Sequence, residues 1–429
     1  VKSRHQPNIY SRDQHGISRK LIDPDALKIL YRLMRHGFKA YLVGGGVRDL
    51  LLGIKPKDYD IGTDAHPREI KSIFRNSRII GRRFKLVHIY FHGGKIIEVA
   101  TFRAADIPAD PTDTNGDNEE NLELDENIYG SDETDAFRRD LSINGLFYDI
   151  ATFSVIDYVG GMTDLENKTI RVIGDPDSRF SEDPVRLIRV LRHAGRTAFS
   201  IEKETYKSLV RNKNLITVAS EVRVYEELRK DLASGHCASI LKLMFDSGLL
   251  NCLLPELTEE NGEFFSDDSQ GFELLQRADS SIKDGDTISS TAILSALTLF
   301  IGVPKIDRED LLHRFANKEE LSGHISGCFR SLAVPRRERE RIQNILSAWF
   351  DLSRVEAAPK KISRYRNKDF LIDLISLLKL IGESDLDQEN LNSLIELKPD
   401  RDSHGHHESR GRRRRNRSRM RNSQRRRMM

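Results

Sequence analysis

The apolar residues of this chain change their spacing once, and that change limits the fold more than any single motif. Up to about residue 175 they come in short β-like runs: Ala40–Val43, Tyr59–Ile61, Lys85–Phe91 and Lys95–Phe102. His92-Gly93-Gly94 separates the last two as a hairpin turn would, and Phe153–Tyr158 and Thr169–Ile173 read as further strands. Asp23-Pro24 reads as a helix start, with Leu27, Leu30, Tyr31 and Met34 at helical spacing and Gly37 as the stop; Leu141–Asp149 reads as a second helix. From Ser181 onward the period is 3.6. It predicts helices over Glu182–His193, Glu202–Val210, Val222–Leu232, Ala238–Ser247, Thr291–Phe300, Arg336–Phe350 and Asp369–Leu380. The expected class is α+β: a loose segment 1–20, an α/β head over 21–175, an all-α neck over 176–250, a helical body over 251–400 and a tail over 401–429.

Charge is distributed unevenly. The net charge is +3, yet the segment Arg401–Met429 holds twelve Arg against two acids, which leaves the rest of the chain at −7. Residues 104–135 hold twelve Asp or Glu and no Lys or Arg, the composition of a mobile loop. The apolar stretch Thr287–Pro304 is interrupted by Ser and Thr and falls short of the ~18–20 continuous apolar residues of a membrane span. No apolar core of a signal peptide follows Arg4, Arg12, Arg19 and Lys20, so a cytoplasmic protein is expected. The first residue is Val, which suggests a trimmed start or a non-standard initiation codon. Cys237, Cys252 and Cys328 form no CxxC pair, which argues against a disulfide framework or a zinc knuckle.

The segment Leu42-Val43-Gly44-Gly45-Gly46-Val47-Arg48-Asp49 runs an apolar strand into three glycines. Such a turn exposes backbone N–H groups to an anion, and Arg48 adds a fork for phosphate oxygens. Asp58 and Asp60 follow at strand spacing, so both carboxylates project to one side. Two like charges there repel, and divalent cations such as a pair of Mg²⁺ ions would relieve them. Glu98, a lone acid in the apolar run Ile96–Ala100, is either an acid on an exposed face or a third metal-facing carboxylate from a neighbouring strand.

The run Gly44–Gly53 with Lys57-Asp58-Tyr59-Asp60 resembles the head signature of the class II template-independent RNA nucleotidyltransferases, the family of bacterial poly(A) polymerases and CCA-adding tRNA enzymes. Glu98–Arg103, Arg138–Asn144 and Glu182–Arg189 resemble further motifs of that family in its own order, and the resemblance spans about residues 15–250. It implies that Gly45, Gly46 and Arg48 hold the triphosphate, and that Asp58 and Asp60 bind the catalytic metals with Glu98 as an additional acid. It also implies that Arg139 and Asp140 engage sugar and phosphates, with Asp140 among the essential carboxylates, and that Asp183, Arg186 and Arg189 face the incoming base. Leu141 and Gly145 depart from the family pattern, which could shift the nucleotide-binding helix.

Ile79–His88, Asn127–Ser131 and Gln14–Lys20 resemble the poly(A) branch more than the CCA branch. The tail points the same way on physical grounds. Arg410–Arg427 has eleven Arg, no Lys and no acid, and Arg412, Arg413, Arg414, Arg415, Arg417 and Arg419 can neutralise phosphates of any sequence as a sliding tether. The expected activity is transfer of AMP from the substrate ATP to RNA 3′ ends, with RNA-decay or RNA-binding proteins as further partners of the tail. CCA addition to tRNA is the alternative within the family, and a non-catalytic RNA-binding scaffold is the alternative outside it.

Overall fold

The computed structural model describes residues 6–81, 85–104, 129–258, 262–266, 268–301, 318–353, 362–381 and 385–396. The chain divides into two compact units, Val1–Glu259 with 331–333 and Glu260–Arg330 with Val334–Met429.

The first unit is built on an eight-stranded sheet. In chain order its elements are β1 (Asn8–Tyr10), α1 (Pro24–Arg35), β2 (Ala40–Val43), α2 (Gly45–Leu51), β3 (Asp60–Thr63), α3 (Pro67–Ile73), β4 (Ser77–Ile80), β5 (Leu86–Tyr90), β6 (Ile96–Thr101), α4 (Asp132–Arg138), β7 (Leu146–Asp149) and β8 (Ser154–Asp157). The strand order is β1-β8-β7-β2-β3-β6-β5-β4. All neighbours are antiparallel except β3 and β6, which run parallel with Ile61 opposite Val99. Burial alternates along these strands: Ile97 and Val99 of β6, and Val87 and Ile89 of β5, are buried while their neighbours are more exposed, and α3 packs on β5. The β2–β7–β8 half buries a cluster of Val43, Phe102, Ala136, Phe147 and Ile156, over which Tyr41 and Tyr158 pack. Truncating Phe147 there would cost about 3–5 kcal/mol.

After the sheet come α5 (Gly161–Glu166), α6 (Pro176–Glu182), α7 (Val185–Thr197), α8 (Lys203–Asn212), α9 (Glu221–Leu232) and α10 (Cys237–Asp246). Helices α9 and α10 pack on α7. The second unit contains helices over Gln270–Lys283, Ser290–Phe300, Lys318–Cys328, Arg336–Ser353, Leu371–Ile381 and Asp385–Glu396. Helix Ser290–Phe300 is buried along its whole length, which explains the apolar run as a core helix. Among the described residues no helix is long and apolar enough to cross a membrane.

Several local expectations are corrected. Residues 8–10 are not loose but pair with β8, Ile9 opposite Ile156, because β8 leaves an edge to cover. Leu141–Asp149 is not a helix; a 3₁₀ turn at Ser142–Asn144 leads into β7, whose Leu146, Phe147 and Tyr148 are buried on both faces. The end of the acidic segment is ordered as α4, where Ser131 caps and Asp132, Glu133 and Asp135 lie in the favourable first turn. Residues 105–128 fall outside the described residues. The helix expected over Glu182–His193 breaks at Asp183, which is extended (φ −149°, ψ 94°) because Pro184 excludes the helical conformation from the residue before it. Residues Thr169–Ile170 pair with Ser200–Ile201 in a separate two-stranded sheet.

Candidate active site

At the end of β2 the chain turns sharply into α2. Gly44 caps the helix at φ 69°, ψ −141°, a conformation reserved for glycine, and a Cβ there would meet Arg139 Nη1 at 3.1 Å. The first N–H groups of α2, those of Gly45 and Gly46, have no intrahelical acceptor and face outward from the helix start. A Cβ on Gly46 would stand 3.3 Å from the Asp58 carbonyl, so this glycine lets α2 lie close against the segment carrying the acids.

Asp60 opens β3 opposite Val43, and Asp58 lies two residues before it, just outside the strand. The intervening Tyr59 is turned inward, 8% exposed, with its hydroxyl donating to the Leu21 carbonyl. The two carboxylates therefore project to the other side. Neither has a hydrogen-bond or ion-pair partner among the described residues. Asp60 is an exposed residue, yet its carboxylate sits in the cleft wall. Loss of water there, then the charges of Glu98 and Asp58, push it up to about 6 against the pull of Arg139.

A cleft of about 340 Å³ brings Gly44, Gly45 and Asp60 together with Arg139, Asp140, Asp183, Arg186 and Arg189. Arg139 is anchored by Asp135 at 3.0 and 3.2 Å and lies over the Phe147 ring. Asp140 is held differently from Asp60. Burial opposes its charge, but the Arg189 guanidinium at 2.6 Å, His193 and the Asn144 amide outweigh that and hold its carboxyl well below the usual range. Its other oxygen accepts from the Leu141 N–H at 2.8 Å. Arg186 is fixed by Glu182 at 2.9 Å and the Arg179 carbonyl at 2.8 Å, and Asp183 pairs with Arg223 at 2.9 Å. Glu182 meets Arg186 across the break before α7, while Arg186 and Arg189 both lie on α7.

Four expected residues do not line this cleft: Gly46, Asp58, Glu98 and Arg48. Arg48 is 3% exposed. It donates to Asp49 Oδ1 at 2.6 and 2.9 Å, to Asn144 Oδ1 at 2.8 Å and to His193 Nδ1 at 3.1 Å. Glu98, on β6 beside Asp60, contacts His88 Nε2 at 3.1 Å. Among the described residues no three His, Cys, Asp or Glu are already gathered as a metal cage. The unpaired, crowded oxygens of Asp58 and Asp60 nevertheless form a hard donor set that fits Mg²⁺. The arginines of the tail lie outside the described residues.

Residues with no role assigned from the sequence connect these groups. Asn144 and His193 join Arg48 to Asp140, and burial followed by the Arg48 charge keeps His193 well below the usual imidazole range. Arg179 donates to the Arg138 and Arg139 carbonyls at 2.7 and 2.8 Å, tying the end of α4 to α6. Arg223 and Glu227 enter the cleft from α9. The Asp183-Pro184 step and the four-residue Asp140–Asn144 contact are local; the contacts among Arg48, Asn144 and His193, and those of Arg179 with the two carbonyls, join residues 40 to 145 positions apart.

Known proteins resemble this chain in sequence and in fold. Residues 40–171 match the family described as the poly(A) polymerase head domain, and residues 198–261 match a probable RNA and SrmB-binding site of polymerase A. Poly(A) polymerase I of Escherichia coli is 39% identical over 82% of this chain and 77% of its own length. Poly(A) polymerase I of Haemophilus influenzae is 33% identical over 87% and 84%. A CCA-adding enzyme of Bacillus pumilus is 36% identical, but over 52% of this chain and 53% of its own. The crystal structure of the Bacillus stearothermophilus CCA-adding enzyme with CTP shares the fold, with a TM-score of 0.57 over 88% of this chain and 82% of that one at 24% identity. A glycine turn beside unpaired acids, an arginine-walled cleft and these relatives lead to one conclusion: the chain is a nucleotidyltransferase belonging to the poly(A) polymerase I family.

Proposed function

We propose that this protein extends RNA 3′ ends with AMP from ATP, releasing pyrophosphate and requiring no template. The observation that carries the reading is the pair of carboxylates without a partner, Asp58 and Asp60, beside a cleft that presents Arg139, Arg186 and Arg189. The N–H groups of Gly45 and Gly46 and the Arg139 guanidinium would receive the triphosphate. Asp183 and Arg186 offer an acceptor and a donor fork, which suits the amino group and ring nitrogen on one edge of adenine. Asp140, saturated by Arg189, would hold that arginine and the sugar in place rather than bind cation. Arg48 would act from behind the glycines by fixing Asn144 and His193. Asp58 and Asp60, with Glu98 as an additional acid, would hold Mg²⁺. Bound there, the metal supplies a lowered hydroxyl pKa and compensation of charge on the departing pyrophosphate.

Polyadenylation is favoured over CCA addition by the breadth of the match: poly(A) polymerase relatives align over 82–87% of the chain, CCA-adding relatives over 52–56%. The decisive experiment offers generic RNA and tRNA lacking its terminal triplet, with Mg²⁺ and each nucleotide separately, and sequences the products. Homopolymeric A on both substrates is expected. Ordered C, C and A confined to tRNA would replace this reading with CCA addition, and no extension of any RNA would favour a binding scaffold. The Arg-rich tail is proposed as a sequence-independent RNA tether and as a contact for RNA-decay proteins, in a cytoplasmic enzyme. Deleting residues 410–429 should weaken RNA binding and flatten its dependence on salt.

A further inference from the structure

The sheet face that carries Asp60 is packed by α4 over β2, β7 and β8, where Ala136 meets Val43, Phe147 and Ile156, but no helix described above covers the same face over β6, β5 and β4. Strand β2 borders β3 on one side, and the nucleotide cleft lies there, over Gly44, Asp60 and Arg139. On the other side the order continues through β6 and β5 to the edge strand β4. Register places Glu98 opposite His88 and His88 opposite Arg78, so Asp60, Glu98, His88 and Arg78 form one row across four strands. In the adjoining row Tyr90 pairs with Ile96, and these are 36% and 45% exposed. The His88 and Tyr90 rings lie edge to face at 6.5 Å. The opposite faces of the same strands hold Val87, Ile89, Ile97 and Val99, all buried.

In-line phosphoryl transfer requires the attacking oxygen and the leaving pyrophosphate on opposite sides of the reacting phosphorus. With the triphosphate on the β2 side of Asp60, as proposed, and its pyrophosphate directed away from β6, the attacking 3′-hydroxyl would come from the β6 side. We propose that the open face of β6, β5 and β4 is the platform for the last nucleotides of the RNA, with Tyr90 and His88 stacking bases and Arg78 meeting a phosphate. The platform suits single strands, which are recognised by aromatic side chains displayed on a sheet next to cationic ones. Three strand spacings of ~4.8 Å give about 14 Å, room for roughly four stacked nucleotides at ~3.4 Å. The inference rests on the polyadenylation reading and names where that reaction's acceptor lies.

Extension of oligoadenylates of increasing length is measured for the wild type, Tyr90→Ala, Tyr90→Phe and Arg78→Ala. Both alanine variants should raise the KM for RNA about tenfold while leaving the KM for ATP unchanged, and Tyr90→Phe should behave as the wild type. Oligoadenylate carrying 5-iodouridine second from its 3′ end should cross-link within residues 86–95, a result independent of turnover. Unchanged KM for RNA in both alanine variants, or a cross-link elsewhere, overturns the platform. A wild type that extends no RNA yet cross-links at 86–95 overturns the polymerase reading and leaves the platform standing.

Discussion

Two carboxylates within one cleft are treated in opposite ways by their surroundings. Asp60 stands without a partner, crowded by Glu98 and Asp58, and is pushed up to about 6. Asp140, more deeply placed, is gripped by Arg189, Asn144 and a backbone N–H and held well below the usual range. The contrast distinguishes a charge left without a partner from a charge already paired with an arginine. Fold stability alone would have no use for the first arrangement, since like charges left unneutralised weaken a sheet. The second is ordinary buried pairing.

The largest test of this contrast is Asp58→Ala or Asp60→Ala. Each should lower turnover at least ~10³-fold while RNA binding and the folded state persist; retained turnover in both variants would end the distinction. Asp140→Asn should act through structure instead. Arg189 would lose its countercharge, and urea unfolding should show a loss of about 2 kcal/mol, together with weaker ATP binding.

The smallest effect is a difference in pH dependence. A carboxyl raised in the folded state holds its proton more tightly than in the unfolded chain, so Asp60's contribution to stability falls as pH rises from about 4 to 6. Asp140 has the opposite sign: its contribution is present above the unfolded value and is lost only as pH falls through its depressed folded value. Asp60→Asn should therefore gain a few degrees in Tm relative to the wild type between pH 4.5 and 7, and Asp140→Asn should not. Adding Mg²⁺ at pH 7 should raise the wild-type Tm and leave Asp60→Asn unmoved. Equal responses in both variants would mean that the two environments do not differ as described.

Much of the site was legible because its chemistry is local. Gly44 announces a backbone conformation that only glycine adopts, and the Asp58–Tyr59–Asp60 alternation sets the facing of three side chains even though β3 begins only at Asp60. The hairpin at His92-Gly93-Gly94 is local in the same sense, with Gly93 and Gly94 both at positive φ. Leu141–Asp149 was misread because a doubly buried strand and a buried helix share one composition. Arg48 looked like a phosphate fork, since nothing nearby in the chain reveals that Asn144 and His193 will claim it.

Residue order thus dictates what depends on neighbours a few positions apart: turns, alternation, helix starts and stops, and which acids share a side. The assignment of each charge to a partner required the folded chain. A guanidinium or carboxylate can be satisfied by any opposite group within about 3 Å, and folding alone selects which one arrives there. Asp140 became paired and Asp60 stayed without a partner for that reason, although both are aspartates in recognisable motifs.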